Sequence, residues 1–539
     1  MAQVSAAPAG GQPVPARKYA LNPWPIAFTV TIATFMEALD SSIANVALPH
    51  IAGNLSATAD EATWILTSYL VSNGIIIPLG AWASEVMGRK RFYMTCVALF
   101  TVSSFLCGLA PSLGTLILFR VLQGAGGGGL QPSEQAILAD TFPPARLGMA
   151  FAIYGMAVVL APSIGPTLGG WITDNYSWRW IFYINVPIGI MSLFLTNHFV
   201  KDPEYLTEQL EQQRRSHHRP YIDYIGIGLI ALGIGCLQVV LDKGQEDDWF
   251  ASHFIVTLSV IALISFVALV IWELQEKSPV IDLRLFKDFN FAIASLMMFV
   301  LGVSIYAATA LIPLFVQTLA GYSAQLAGLV MSPGGLVMIP TMPLVGRLSS
   351  RIQARWLAAI GFLITGLALM HMTRIDLQAN FTTYMLDNVY VRLGVAFLFI
   401  PINTLAYLDV PPGKNNQISS MINMFRNIGA SVGISMVSTL TQRRAQIHQD
   451  TFSMHLSPFD PEVRDRLSGL TNNLFHARMS RPDAHHQALG RMYNLVQTQA
   501  STEAYLDTLK ILAIICFCIL PLMLLVKKND PHAKKAAAH

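Results

Sequence analysis

Apolar residues in this chain fall in runs long enough to cross a hydrocarbon layer, separated by short polar turns. A helix needs about 20 apolar residues for that crossing. Fourteen runs meet the need: 25–47, 63–83, 92–110, 114–138, 148–172, 180–199, 223–241, 252–273, 291–317, 325–347, 356–373, 387–409, 416–440 and 505–526. A polar stretch at 201–222, containing EQQRRSHHRP, divides the first six from the others. The pattern predicts an all-α membrane protein with fourteen transmembrane helices.

Composition agrees. Hydrophobic residues make up 53% of the 539 residues and charged residues only 12%. An ordinary soluble domain is about 25% charged, so this chain lacks the polar surface to stand in water. A net charge of +3 is too small to argue for nucleic acid, and none is expected as a partner. The five cysteines, Cys96, Cys107, Cys236, Cys516 and Cys518, lie in apolar runs without metal-ligand spacing, and read as small packing residues. There is no HExxH, no His/Cys cluster and no P-loop. His485 and His486 are adjacent in a polar segment without a third ligand, and read as surface residues. The chain is therefore expected to be a transporter and not an enzyme, with no metal and no cofactor.

Lysine and arginine set the orientation, because they concentrate in cytosolic loops. With the N-terminus inside, the cytosolic segments hold 21 positive residues, among them Arg17, Lys18, Arg89, Lys90, Arg91, Arg146, Arg214, Arg215, Arg219, Lys414 and Lys527. The short outer loops hold 3: Arg179, Lys243 and Arg374. Both termini are expected in the cytosol. The outer segment 442–504 is long and polar and carries seven arginines; long loops translocate largely regardless of charge.

AWASEVMGRK (81–90) and GRLSSRIQAR (346–355) hint at a repeat, each joining two spans on the cytosolic side. They correspond if the seventh and eighth spans are an inserted pair. The expected division is a cytosolic tail at 1–22, a six-helix bundle at 23–200, a linker at 201–222, the inserted pair at 223–275 and a second six-helix bundle at 290–530. The 442–504 segment is a long periplasmic loop within the last unit.

Ionisable residues inside a span cost roughly 2.5–3.5 kcal/mol on insertion scales and mark function. The first span holds Glu37 and Asp40, the fourth Arg120 and Glu134, the twelfth Arg392 and the thirteenth Arg426. At 1.5 Å per residue, Asp40 lies roughly 10 Å and Arg120 roughly 9 Å from the outer ends of their spans. The matched depths predict that they face each other. Asp40, Glu134 and Glu37 are candidate proton-relay groups, since burial and a nearby cation push a carboxylate's proton affinity in opposite directions. Arg120 is the permanent counter-charge. Arg392 and Arg426 either hold substrate or pair locally. Asp40→Asn is expected to abolish gradient-driven export with folding intact.

GAGGGG (124–129) lacks the Lys-Ser/Thr of a P-loop and reads as a close-packing surface. APSIGPTLGG (161–170) reads as a helix that Pro162 and Pro166 can kink.

These motifs resemble the fourteen-span drug:proton antiporters of the major facilitator superfamily, EmrB type. LDSSIANVALP (39–49) is similar to the span-one motif at Asp40 and Asn45. LILFRVLQGAGGG (116–128) is similar to the span-four motif at Arg120, Gln123 and Gly124. APSIGPTLGG is similar to the antiporter motif at Gly165, Pro166, Gly169 and Gly170. WRWIFYINVPIG (178–189), LDKGQEDDWF (241–250) and SSMINMFRNIGASVG (419–433) also look like that subgroup. The loop after span two keeps Gly88, Arg89 and Lys90, but has Glu85 in the place of the family's Asp and Val86 in the place of its Arg. The resemblance covers about residues 24–527 and implies a major facilitator fold, two six-helix bundles plus two extra helices, with proton antiport across the bacterial inner membrane. The expected substrates are hydrophobic or amphipathic compounds, as in multidrug efflux; the alternative is a dedicated lipid, siderophore or metabolite. The resemblance also implies a periplasmic adaptor and an outer-membrane channel as partners, beside membrane lipids.

Overall fold

The computed structural model describes residues 22–203, 206–208, 211, 222–408, 414–457, 459–476 and 480–527. The tail with Arg17 and Lys18, most of the 201–222 linker, and Lys528, Lys534 and Lys535 lie outside the described residues. The described residues form helices and no strand.

The first bundle comprises α1 (Trp24–Asn54), α2 (Ala59–Met87), α3 (Arg89–Leu109), α4 (Leu113–Gly127), α5 (Leu130–Thr141), α6 (Pro144–Asn175), α7 (Trp180–Tyr183) and α8 (Asn185–Phe199). The inserted pair is α9 (Tyr224–Lys243) and α10 (His253–Gln275). The second bundle comprises α11 (Phe289–Thr318), α12 (Ala324–Leu348), α13 (Ala354–Met372), α14 (Phe381–Ala406), α15 (Asn415–Met454), α16 (Pro461–His476) and α17 (Arg481–Ile519). The order of elements is the one expected from the sequence.

Local chemistry sets the ends of these helices. A capping box between Thr58 and Glu61 starts α2, and one between Ser112 and Thr115 starts α4. Asp288, Asn380 and Ser480 cap α11, α14 and α17. Gly88 breaks α2 from α3 with φ of 88°, a left-handed value that a side chain disfavours.

Each of the fourteen apolar runs has a helical counterpart. Among the described residues, twelve helices are long and apolar enough to cross a membrane. The other two runs are polar or broken. The fourth divides into α4 and α5, because Pro132 has no N–H to offer the carbonyl of Gly128. The thirteenth, α15, opens with NNQISSMINMFRN, a face built for contact with protein. The 442–504 segment, read from sequence as a loop, is largely helical: α15 runs on to Met454, α16 follows, and α17 begins at Arg481. Its few apolar residues suffice for a small core of Leu474, Ala484 and Ala488.

Glycine brings α4 against its neighbours. A Cβ on Gly124 would stand 2.4 Å from the Tyr69 carbonyl, and one on Gly126 would stand 2.5 Å from the Phe100 nitrogen. On α6, Gly165 and Gly169 let α1 approach at Ser42 and Ile43, whereas Gly170 meets only Val46 at 3.9 Å. Pro166 leaves the Pro162 carbonyl without its helical donor, and Ser42 Oγ donates to it from α1 at 3.2 Å. Despite two internal prolines, α6 therefore stays one helix.

The halves meet where α6 packs on α12 and where α2 and α5 pack on α15. α9 lies against both α2 and α15. α10 is peripheral: 22% of its most apolar stretch is buried, against 72% for α6. Its exposed Leu263, Ile264 and Val267 suit lipid.

Gly126→Ala should destabilise the purified protein by about 1–3 kcal/mol, the usual cost of overpacking. Gly228→Ala, with nothing within 4 Å of the added methyl, should not lower the melting temperature. Thermal unfolding of the two variants side by side checks this.

Candidate functional site

Polar side chains occupy the middle of the molecule in three tiers. The first lies within the N-terminal half. Asp40 accepts from Arg120 Nη1 at 2.7 Å, Gln123 Nε2 at 2.9 Å and Asn185 Nδ2 at 2.6 Å. Arg120 also donates to the Ile65 carbonyl at 3.2 Å and to Gln123 Oε1 at 2.9 Å. The Tyr69 ring covers its guanidinium at 4.2 Å. Both charged side chains are about 1% exposed. The structure thus joins the two residues whose depths matched in the sequence. It also gives Asp40 more donors than sequence reasoning supplied, since Asn185 carries no charge to mark it.

The second tier crosses between the halves. Glu37 Oε2 accepts from Gln131 Nε2 at 2.5 Å, while its Oε1 accepts from Tyr69 at 3.1 Å and Asn73 at 3.4 Å. Gln131 Oε1 accepts from Arg426 Nη2, on α15 of the other half. Arg426 Nη1 donates to the Tyr154 hydroxyl at 3.1 Å. One amide therefore links a carboxylate of α1 to an arginine of α15. One turn further along α5, Asn423 Nδ2 donates to Gln135 Oε1 at 2.8 Å. Glu134 turns the other way, towards α1, and accepts from Thr31 Oγ1 at 2.6 Å. Among the described residues its Oε2 has no hydrogen-bond partner, and the residue is fully buried.

The third tier closes one end. Arg89 donates to the Ala136 carbonyl at 3.1 Å and pairs with Asp140. Asn415 Nδ2, from the second half, donates to the same Asp140 at 2.6 Å. Gln417 Nε2 reaches Glu85 Oε1 at 3.5 Å, and Lys414 stands nearby, paired with Asp282 at 3.1 Å. Glu85 thus faces the second half, although Val86 offers no charge. The backbone of Lys90 donates to Asp202 at 2.8 Å and its Nζ to the Asn197 carbonyl at 2.7 Å, tying the loop to the end of α8.

A cavity of about 450 Å³ lies between the halves. Its lining runs from Glu37, Gln131, Asn423 and Arg426 at helix mid-height towards Asn45, Leu66, Pro313 and Ile434, away from the Gly88 end. Glu37 is at its floor. Arg120 borders it and Asp40 does not. Arg392 stands behind the wall, donating to Thr309 Oγ1 at 3.0 Å.

The inserted helix α9 contributes too. Asp242 lines the cavity and accepts from Thr67, and Lys243 donates to Thr63 on α2. Gln238 bonds Asn427 at 2.9 Å and Ser431 at 2.6 Å on α15. Asp242 and Lys243 fall in LDKGQEDDWF, the run that looks like the antiporter subgroup in the sequence. Gln131, Tyr154 and Asp140 had no sequence signal, being neutral or close to a span end, and Asn423 fell inside the 419–433 run without being singled out.

The Major Facilitator Superfamily model matches residues 30–434. The fatty acid resistance protein FarB of Neisseria gonorrhoeae is 38% identical over 85% of this chain and 88% of its own. The multidrug export protein EmrB of Haemophilus influenzae is 38% identical over 81% of this chain and 84% of its own, and that of Escherichia coli K12 is 36% identical over 82% and 84%. Among solved structures, the human organic anion transporter MFSD10 superposes with a TM-score of 0.59 at 12% identity, covering 93% of this chain and 100% of its own. The proton:xylose symporter XylE gives 0.55 at 14%, covering 94% and 97%. These two speak for the fold alone.

Removing one member of a buried ion pair leaves the other charge uncompensated, at roughly 3–5 kcal/mol. Arg120→Gln and Asp40→Asn should each lower the melting temperature strongly, and the double variant should recover part of the loss. This revises the expectation that Asp40→Asn folds unharmed. Melting curves of the three variants in one detergent check it.

Proposed function

We propose, from the premise that this chain belongs to the major facilitator superfamily and its EmrB-type branch of drug:proton antiporters, that it exports hydrophobic or amphipathic compounds in exchange for protons. The carrying observation is the link from Glu37 at the cavity floor through Gln131 to Arg426 in the opposite half.

Glu37 is the proton acceptor. It faces the cavity and its acceptor oxygens hold Gln131 in place. A proton on Glu37 removes an acceptor, so Gln131 and Arg426 lose their fixed partners. The tie between the halves weakens and the end closed by Arg89, Asp140 and Asn415 can part. Glu134, buried and without a cation beside it among the described residues, takes the proton onward on the α1 side; a buried carboxylate without a counter-charge is costly. Asp40, held by three donors, anchors Arg120, and as a relay group it would exchange its proton only as these contacts part. Gly165, Pro166 and Gly169 keep α6 close to α1, so that the first half swings as a unit. Export is driven by the proton gradient alone.

The excess of lysine and arginine at the Gly88 end supports a cytosolic location for that end and for both termini, in the bacterial inner membrane. The cavity then opens to the periplasm, and lipid surrounds the belt. The projecting ends of α15 and α17, with α16, extend on that side by roughly 20 Å for the last 13 residues of α15. Exposed Ile447, Phe459 and Tyr493 support docking of a periplasmic adaptor there, which would lead to an outer-membrane channel. The relative named for fatty acid resistance supports the second reading, a dedicated lipid exporter; a narrow substrate profile in resistance assays would favour it.

Purified protein in liposomes with an imposed pH gradient tests the main reading. Wild type should accumulate an amphipathic dye only when the gradient is present. Glu37→Gln and Glu134→Gln should each lose at least about tenfold of that rate, as for a general proton-transfer group. Undiminished gradient-driven transport by Glu37→Gln would refute the relay.

A further inference from the structure

The two halves repeat one plan with one difference. α1 and α11 open the two bundles, and α4 and α14 are their fourth spans. Each fourth span carries a buried arginine that reaches back to the opening helix. In the first half Arg120 meets the carboxylate of Asp40 at 2.7 Å. In the second half, among the described residues, the hydrogen-bond acceptor of Arg392 is the hydroxyl of Thr309, at 3.0 Å. That hydroxyl gives its own proton to the Ile305 carbonyl at 2.7 Å. Arg392 is 3% exposed, and among the described residues no carboxylate lies within ion-pair distance of it. Asp387, on the same helix, is engaged by His371 at 2.8 Å.

A buried cation without an anion is expensive. The missing charge faces the transport path: Thr309 and Tyr306 line the cavity, and Arg392 stands directly behind them. Beside this point the wall is apolar, with Ala310, Pro313 and Met331. Arg426 does not fill the same role, because Gln131 and Tyr154 already occupy it.

We propose that Arg392 is an anion subsite of the cavity, and that the carboxylate of an amphiphile supplies the charge which Asp40 supplies to Arg120 in the first half. The head group settles against Thr309 and Arg392 while the tail lies along the apolar wall. This rests on the efflux reading and adds the charge of the preferred substrate.

The test is binding without a gradient, by calorimetry on purified protein in nanodiscs, comparing octanoate with octanol. Wild type should prefer octanoate by about tenfold or more, the worth of one charge-assisted contact. Arg392→Gln should bring the ratio close to one, Arg392→Lys should keep most of it, and the exposed Arg374→Gln should keep all of it. Thr309→Asp installs the missing carboxylate; it should raise the melting temperature and abolish the preference. No preference in wild type, or a full preference in folded Arg392→Gln, overturns the proposal. If Arg392→Gln does not fold, a preference surviving in Thr309→Asp overturns it instead. Wild type that binds octanoate selectively but moves nothing under a gradient would count against the efflux reading and leave the subsite standing.

Discussion

Polar groups at membrane depth must find their partners inside the protein, since lipid offers none. In this chain that requirement converges on the side-chain amide of Gln131. Its nitrogen donates to Glu37 and its oxygen accepts from Arg426, so a single neutral group spans the seam between the halves. Beneath it, Gln135 and Asn423 form a second neutral contact across the same seam. Such contacts are cheap to break and remake compared with a buried ion pair. The strong pair, Asp40 with Arg120, stays inside one half. The division is physically sensible: the strong ion pair stays inside the first bundle, and hydrogen bonds with one neutral partner join the two halves.

Helix packing serves the same end. Gly124 and Gly126 seat α4 against α2 and α3, which fixes the backbone that carries Arg120 and Gln123. Ser42 satisfies the carbonyl left open by Pro166, so the α1–α6 contact survives a proline-rich sequence. The inserted α9 grips α2 through Asp242 and Lys243 and α15 through Gln238. It spans the seam from outside and limits how far α2 and α15 can separate.

Much of this was legible in the sequence. Charge stands out against an apolar background, so Glu37, Asp40, Arg120, Glu134, Arg392 and Arg426 could all be named, and a depth count sufficed to pair Asp40 with Arg120. The glycine run read correctly as packing, because its context was apolar and its P-loop ending absent. What escaped was neutral or remote. Gln131, Tyr154 and Asn423 look like ordinary residues until Arg426, nearly three hundred positions from Gln131, arrives beside them. Asp140 sits at a helix end, where an acid needs no explanation, yet Arg89 and Asn415 share it. The helical form of the 442–504 segment was hidden by its low apolar content, which gives only the small core at Leu474.

If protonation of Glu37 loosens the seam, the distance between the halves at the Gly88 end must respond to acid. Spin labels at Met87 and Ile352, exposed residues of the two halves near that end, allow the distance to be measured by pulsed electron resonance in nanodiscs. Lowering the pH should shift wild type from a short distance towards a longer one, and Glu37→Gln should show the longer distance at every pH. A Glu37→Gln protein that still follows pH as wild type does would contradict the coupling.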